Sequence, residues 1–198
     1  EYMTGETYSL PMVALRGLTI LPEEVRHFDV SREKSLQAIE EAVKNGQKLF
    51  VSAQKDLEIE EPGAEDVYLV GCVVTIRQVV KLPKKMSRVL VSGEVRASLV
   101  RMDSETPYLQ ATVVELPDDE EDDPMNREAM IRGLQDVFKE YLLKNPKLSK
   151  ELGMQVESIH DLKYLTDVIA ANMPFSFEDA QELLEETNVM RRYELLVY

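Results

Sequence analysis

The chain has 198 residues, of which 44% are hydrophobic and 30% are charged, a balance that excludes wholesale disorder. Its formal net charge of −14 disfavours nucleic acid and anionic lipid surfaces as partners, because both are negatively charged. No apolar run approaches the roughly 18 residues of a membrane span, and the single cysteine, Cys72, cannot form an internal disulfide. These features predict a soluble, cytoplasmic protein of about two domains.

Residues 1–117 have the pattern of a β-rich domain with one helix. Short runs rich in Val, Ile, Leu and Tyr alternate with turn residues, which is typical of strands. The predicted strands cover residues 10–15, 18–21, 27–30, 48–53, 67–82, 88–91, 95–100 and 109–114. Apolar residues recur at helical spacing from Leu36 to Val43, with Ser31 as the predicted cap and Asn45-Gly46 as the stop. So many short strands predict a small closed or half-closed barrel.

An unbroken acidic run, Asp118–Asp123, follows this domain and lies between Pro117 and Pro124. Neighbouring carboxylates repel one another and bury nothing, so residues 118–124 are predicted to form a solvated linker between two domains. A carboxylate metal site is the alternative interpretation. Ligands adjacent in sequence, however, converge on one ion only within a loop such as that of an EF-hand.

Beyond the linker the apolar spacing becomes helical, which predicts an all-α bundle over residues 125–198. The first helix runs from Pro124 to Asn145, and the second contains Ile159 and ends at Asn172. The third opens at Ser176 with a capping-box pattern, and a fourth begins near residue 188. The chain ends within this fourth pattern, so we expect the last helix to continue in a longer protein.

Catalytic motifs are missing from the sequence. None of the eight glycines has the spacing of a phosphate-binding loop, and neither G-x-S-x-G nor H-E-x-x-H occurs. The two histidines, His27 and His160, fall in different predicted domains, and Cys72 lies in an apolar strand that disfavours a reactive thiolate. We therefore predict no catalytic, cofactor-binding or metal-binding residue in this chain.

Six segments resemble, in order and spacing, the N-terminal region of the bacterial Lon family of ATP-dependent proteases. They are LPMVALRGLTILP (10–22), REKSLQAIEEA (32–42), AQKD (53–56), VGCV (70–73), KLP (81–83) with RVLVSGEVRA (88–97), and LLEETN (183–188). The resemblance extends from about Tyr8 to Tyr198. At the predicted hairpin turn, Lys84-Lys85 replaces the Asp/Asn-Gly pair that is usual in the family.

The resemblance implies an α+β chain, in which a PUA-like pseudo-barrel with one helix recognises substrates and an all-α bundle follows it. It also implies ATPase and protease modules outside this chain, which hold ATP, magnesium and a Ser-Lys dyad. Such proteins are cytoplasmic hexamers that degrade misfolded and regulatory proteins. The present segment is expected to be inert as an enzyme and to be a monomer or weak dimer by itself.

A domain that captures unfolded chains must expose apolar side chains, and loops flanked by prolines can hold them outward at low entropic cost. We predict six substrate contacts in two such loops and a neighbouring strand: Met12, Leu21, Pro22, Leu82, Pro83 and Met86. In the alternative interpretation, Leu21 and Leu82 plug the ends of the barrel.

Two other functions fit parts of the sequence. One is a free-standing LON-type domain that binds a partner or small ligand without an attached protease. The other is an RNA-binding barrel, which rests on fold analogy alone, although the basic residues that surround Lys84-Lys85 are able to contact an RNA phosphate. Those lysines also protect an exposed hairpin from edge pairing, and no interleaved aromatic residues offer a base-stacking platform.

Overall fold

The computed structural model describes residues 5–120, 124–148 and 150–197. These residues form two compact units. The first unit extends to Leu116 and also includes Ser176–Glu185, whereas the second comprises Pro117–Phe175 and the residues from Glu186 onward. The described residues contain both a six-stranded sheet and six α-helices, which confirms the predicted α+β class.

The first unit is built on six strands: β1 (Thr7–Leu15), β2 (Val25–Val30), β3 (Lys48–Ala53), β4 (Val70–Leu82), β5 (Met86–Ser104) and β6 (Leu109–Glu115). β1 pairs with β3 in parallel and with β6 in antiparallel orientation. β4 joins β3 to β5, and β5 also pairs with β6, so five strands close into a barrel. β2 extends the sheet at β5.

The barrel core follows from the alternation of side chains along each strand. The buried cluster consists of Met12, Ala14, Phe50, Val67, Val73, Ala97, Leu99, Leu109, Ala111 and Val113. On β1 the intervening residues, Val13 and Leu15, are also buried. The helix α1 (Glu33–Lys44) packs against β1 and β3, which explains why β1 is apolar on both faces.

Residues 18–21 form a loop and not the predicted strand, because the loop folds onto β5 at a glycine. The Glu23 amide donates to the Gly93 carbonyl at 3.0 Å, and the Gly93 amide donates to the Glu24 carbonyl at 2.8 Å. A Cβ at Gly93 would lie 2.1 Å from the Leu21 carbonyl oxygen, so only glycine permits this approach.

Two further details differ from the sequence predictions. The separately predicted strands 88–91 and 95–100 belong to the single long strand β5, whose pairing with β4 shifts register at two places. The N-cap of α1 is Arg32 and not Ser31, and no side chain caps it. The predicted stop at Asn45-Gly46 is confirmed, since Gly46 has φ 88° directly after the helix.

The remaining helices are α2 (Pro124–Lys144), α3 (Lys150–Glu157), α4 (Leu162–Ala171), α5 (Phe177–Glu185) and α6 (Val189–Val197). In the second unit α2 packs against α3, α4 and α6. The helix α3 was not predicted, because it has only eight residues and Val156 is its one fully buried residue. Ile159, assigned from the sequence to the second helix, lies between α3 and α4.

The helix α5 corrects the predicted domain of residues 125–198, because it belongs to the barrel unit. Arg96 of β5 is 4% exposed and donates to the carbonyls of Leu184 at 3.1 Å and Leu183 at 3.3 Å, in the last turn of α5. The buried side chain of Gln181 bonds to two other residues of the barrel unit. Helical periodicity predicts the buried face of α5 but not the element that covers it.

The acidic run is also not the solvated linker that the sequence predicts. The Asp118 side chain is 7% exposed, and its Oδ1 accepts from Arg192 Nη1 at 2.7 Å within the second unit. The Asp119 backbone pairs with the start of α6, since its amide donates to Thr187 and its carbonyl accepts from Val189. Residues 121–123 of the predicted linker lie outside the described part of the chain.

Candidate functional site

The histidines and the cysteine are distributed over the two units. His27 on β2 and His160 in the second unit are both exposed, and Cys72 on β4 is fully buried. Within residues 5–120, 124–148 and 150–197, no three His, Cys, Asp or Glu side chains are grouped to hold a metal ion. No helix in these ranges is both long and apolar enough to cross a bilayer.

The structure divides the six predicted substrate contacts into two groups. Met12, Leu21 and Pro22 are buried, whereas Leu82 and Met86 are half-buried and Pro83 is exposed. The prediction that the first group is exposed to solvent is therefore wrong. Met12 lies in the barrel core, and Leu21 with Pro22 is held by the loop that folds onto Gly93.

Leu82 and Met86 belong to a groove between α1 and the hairpin of β4 and β5, which we call the α1–β4 groove. It encloses about 350 Å³ near the hairpin end and continues along β4 toward Ile76. Its apolar lining comprises Leu36, Ile39, Val43, Ile76, Val79, Leu82 and Met86. Val43 and Val79 are 43% and 37% exposed, so the groove presents apolar surface to solvent.

One wall of the groove is an unpaired strand edge. β3 pairs with β4 only at residues 72–75, and the last backbone bond on this side runs from the Ile76 amide to the Gln47 carbonyl. Residues 78–82 of β4 pair with β5 on their other side, and no second strand of the described chain pairs with residues 77–82. This segment therefore offers backbone donors and acceptors to an added strand.

The rim of the groove carries both signs of charge. At the hairpin end α1 contributes Glu33 and Glu40, and the hairpin contributes Lys81 and Lys85. The two acidic and two basic side chains balance, so the hairpin end does not select a ligand by its net charge. The lysines also discourage uncontrolled pairing with other strand edges.

Comparison of the whole chain with known proteins determines its family. Residues 9–198 match the family model described as the ATP-dependent protease La (LON) substrate-binding domain. The chain belongs to this family. The Lon protease of Lachnoclostridium phytofermentans is 38% identical over 98% of this chain, and the Lon protease of Clostridioides difficile is 35% identical over 96%. Both matches cover 24% of the relative, so this LON-family chain spans about a quarter of its curated relatives.

Solved structures give the same assignment at the level of the fold. The N-terminal domain of the Mycobacterium avium complex Lon protease superposes with a TM-score of 0.78 at 20% identity, and the match covers 96% of each chain. The Lon N-terminal domain protein from Xanthomonas campestris gives 0.65 at 17% identity, over 96% of this chain and 97% of the other. This LON-family chain thus corresponds to the substrate-binding domain and not to the protease region of its relatives.

Sequence reasoning identified the hairpin end of the groove but missed the wall formed by α1. Leu36, Ile39 and Val43 were recognised only as the apolar face of a helix. A usable signal was present, because that face extends to Val43 while the buried residues of α1 end at Ala42. The free edge of β4 has no sequence signal of its own, since it depends on β3 pairing with residues 72–75 of β4 and not beyond them.

Proposed function

We propose that this chain is the substrate-recognition region of an ATP-dependent protease and that it holds extended apolar segments of non-native proteins in the α1–β4 groove. The observation that carries the proposal is the unpaired edge of β4, residues 77–82, beside an apolar floor. A segment that adds to this edge gains main-chain hydrogen bonds irrespective of its sequence. Its alternate side chains then contact the floor.

This mode of binding selects for unfolded chains. Folded proteins keep their apolar segments in the core and pair or protect their strand edges, so neither feature is available to the groove. A damaged protein exposes both together. The balanced charge at the hairpin end of the groove is consistent with a site that accepts many sequences.

The rest of the proposed activity belongs to modules outside the chain. The ATPase and protease modules would supply ATP hydrolysis, with magnesium, and peptide cleavage by a Ser-Lys dyad, whereas this region binds no cofactor. The assembled protein is proposed to be a cytoplasmic hexamer, and this segment alone a monomer or weak dimer. Pro83 and Met86 remain predicted contacts at the open end of the groove.

Neighbouring valines of β4 provide a matched test. Val79 lines the groove and is 37% exposed, whereas Val80 is 41% exposed and does not line it. We expect Val79→Ser to weaken binding of an unfolded apolar peptide about fivefold, as expected for the loss of one apolar contact. Val80→Ser should leave the affinity unchanged. Fluorescence anisotropy with a labelled peptide measures both, and circular dichroism checks that each variant is folded.

Equal effects of the two substitutions would contradict the proposal, because they would place binding outside the groove. Unchanged affinity in Val79→Ser would do the same. A second readout tests the strand addition directly. A peptide N-methylated at alternate amides loses donors to the β4 edge, and it should bind more weakly than the unmodified peptide.

A further inference from the structure

A second cavity of about 340 Å³ lies at the start of α1, on the side of the helix that faces the end of β1 and the loop after β3. We call it the α1 N-terminal pocket. Glu33 lines both this pocket and the α1–β4 groove, so the two are neighbours along the helix. None of the six residues predicted from the sequence as substrate contacts lines this pocket.

Two guanidinium groups line the pocket without a carboxylate counter-ion. Arg32 donates through Nη2 to the Ala14 carbonyl at 2.7 Å and through Nη1 to the Glu60 carbonyl at 3.1 Å. Arg16 donates through Nη2 to the Ile59 carbonyl at 3.2 Å. Among the described residues, no carboxylate lies within ion-pair distance of either group. The carbonyls fix the guanidiniums in place but leave their charges and other N–H groups available.

The two charges act on each other. Burial lowers the pKa of Arg32, and the positive charge of Arg16 lowers it further. The two guanidinium charges therefore repel each other. An anion in the pocket would relieve this repulsion and accept hydrogen bonds from both groups.

Ser35 gives an independent indication of a ligand. This residue is 7% exposed and lines the pocket, and its hydroxyl has no hydrogen-bond partner in the described part of the chain. It lies in the first turn of the 12-residue helix α1, whose N-cap residue Arg32 provides no side-chain cap. An anion in the pocket can accept hydrogen bonds from this hydroxyl and from the uncapped backbone amides of the first turn.

The remaining lining distinguishes between kinds of anion. Glu33, Glu60 and Glu61 oppose the three cationic residues of the pocket, so a dianionic phosphate would meet strong repulsion. The three glutamates repel a single negative charge less strongly than a double one. The apolar residues Ala14, Pro62 and Leu109 also line the cavity, and they can accept an aliphatic group attached to that anion.

We propose that the α1 N-terminal pocket binds a carboxylate of the polypeptide that the α1–β4 groove captures, with Arg16, Arg32 and Ser35 as its donors. The proposal rests on the proposed function for the identity of this ligand. The carboxylate is either the C-terminus of the segment or an acidic side chain within it. A segment anchored at both places is bound in one direction along α1.

The first test does not depend on the groove. N-acetyl-leucine, which joins one carboxylate to one aliphatic group, is titrated into the ¹⁵N-labelled chain, with N-acetyl-leucinamide and inorganic phosphate as comparison probes. We expect the acid to shift the amide signals of Ser35 and Leu36 and the Nε–H signals of Arg16 and Arg32. The amide should not shift them. Equal shifts from acid and amide, no shift at all, or stronger binding of phosphate would overturn the proposal.

The second test uses labelled peptides with a free C-terminus, an amidated C-terminus, or an amidated C-terminus and one internal glutamate. The free acid should bind about tenfold more tightly than the amide if the C-terminus is the ligand, as a charge-assisted contact predicts. If the glutamate peptide alone gains affinity, the side chain is the ligand. Equal affinities of all three peptides would overturn the proposal.

Matched variants separate this pocket from the groove. Arg16→Gln should abolish the preference for the carboxylate, whereas Arg132→Gln, which removes the same charge from an exposed site in the second unit, should retain it. Val79→Ser should weaken all three peptides equally and preserve their ratio. If the preference for the carboxylate survives Arg16→Gln, the result contradicts binding in the α1 N-terminal pocket. If Val79→Ser has no effect on affinity, the result contradicts only binding in the α1–β4 groove.

Discussion

At the scale of single residues, Arg192 of α6 is the most constrained side chain of the second unit. It is 0% exposed and donates to Asp118 at 2.7 Å, to the hydroxyl of Thr166 at 3.2 Å and to the Glu186 carbonyl at 3.0 Å. Asp167 lies 3.7 Å from its Nε. Removal of this buried cation takes away the 2.7 Å ion pair of Asp118, whose contact with Lys163 is longer at 3.9 Å, and the 3.7 Å ion pair of Asp167.

We therefore expect Arg192→Met to destabilise the chain by about 3–5 kcal/mol, the usual cost of breaking a buried ion pair from one side. The matched control is Arg191→Met, which makes the same change at the preceding, exposed residue. It should alter the free energy of unfolding by less than about 0.5 kcal/mol. Urea unfolding followed by circular dichroism measures both. A similar small effect of the two substitutions would contradict the role given to Arg192.

The sequence predicted little of this cluster, although it contains every member. Asp118 was interpreted as part of a solvated run because five further acidic residues follow it. Its partner is 74 residues away in sequence, and pattern reasoning over a local window cannot find such a pair. The burial of Cys72 follows from its apolar neighbours in the sequence, and the structure confirms it.

At the scale of elements, the turn between β4 and β5 stores backbone strain. Lys84 and Lys85 have φ of 63° and 60°, in the left-handed region that disfavours residues with a Cβ. We expect Lys84→Gly to be more stable than Lys84→Ala by about 1 kcal/mol, because both remove the same charge and only glycine relieves the strain. Thermal unfolding of the two variants measures the difference. An alanine variant as stable as the glycine variant would show that the turn is unstrained.

Elements with a strong local pattern could be predicted from the sequence, and those defined by distant partners could not. β3 and the end of α1 were found at their observed positions, since alternation and Asn45-Gly46 are local signals. The fusion of two predicted strands into β5 was missed, because Gly93 resembles a turn residue in the sequence. In the structure it gives room for the Leu21 loop. The groove depends on which residues of β4 pair with β3, and that pairing has no local signal, so only the hairpin end of the groove was predicted.

At the scale of the whole chain, the barrel unit is discontinuous in sequence. Ser176–Glu185 belongs to it, although this segment follows most of the second unit along the chain. The contacts of α5 explain this. Arg96 supplies donors to the terminal carbonyls of the helix, and Gln181 is buried against the barrel unit. A barrel expressed only to residue 117 would lack α5, and Arg96 would lose the carbonyls of Leu183 and Leu184 as acceptors.

This arrangement predicts which parts of the chain open together. Local opening occurs in cooperative units, and α5 should share the stability of the barrel and not that of the helices adjacent to it in sequence. In the Arg192→Met variant, we expect the amides of α2, α4 and α6 to exchange hydrogen faster while those of α5 and β5 keep wild-type rates. Arg191→Met should change neither group. Hydrogen exchange measured by mass spectrometry resolves these segments. If the amides of α5 exchange faster together with those of α4 and α6, the stability of α5 depends on the second unit. The contacts of Arg96 and Gln181 would then not hold α5 in the barrel unit.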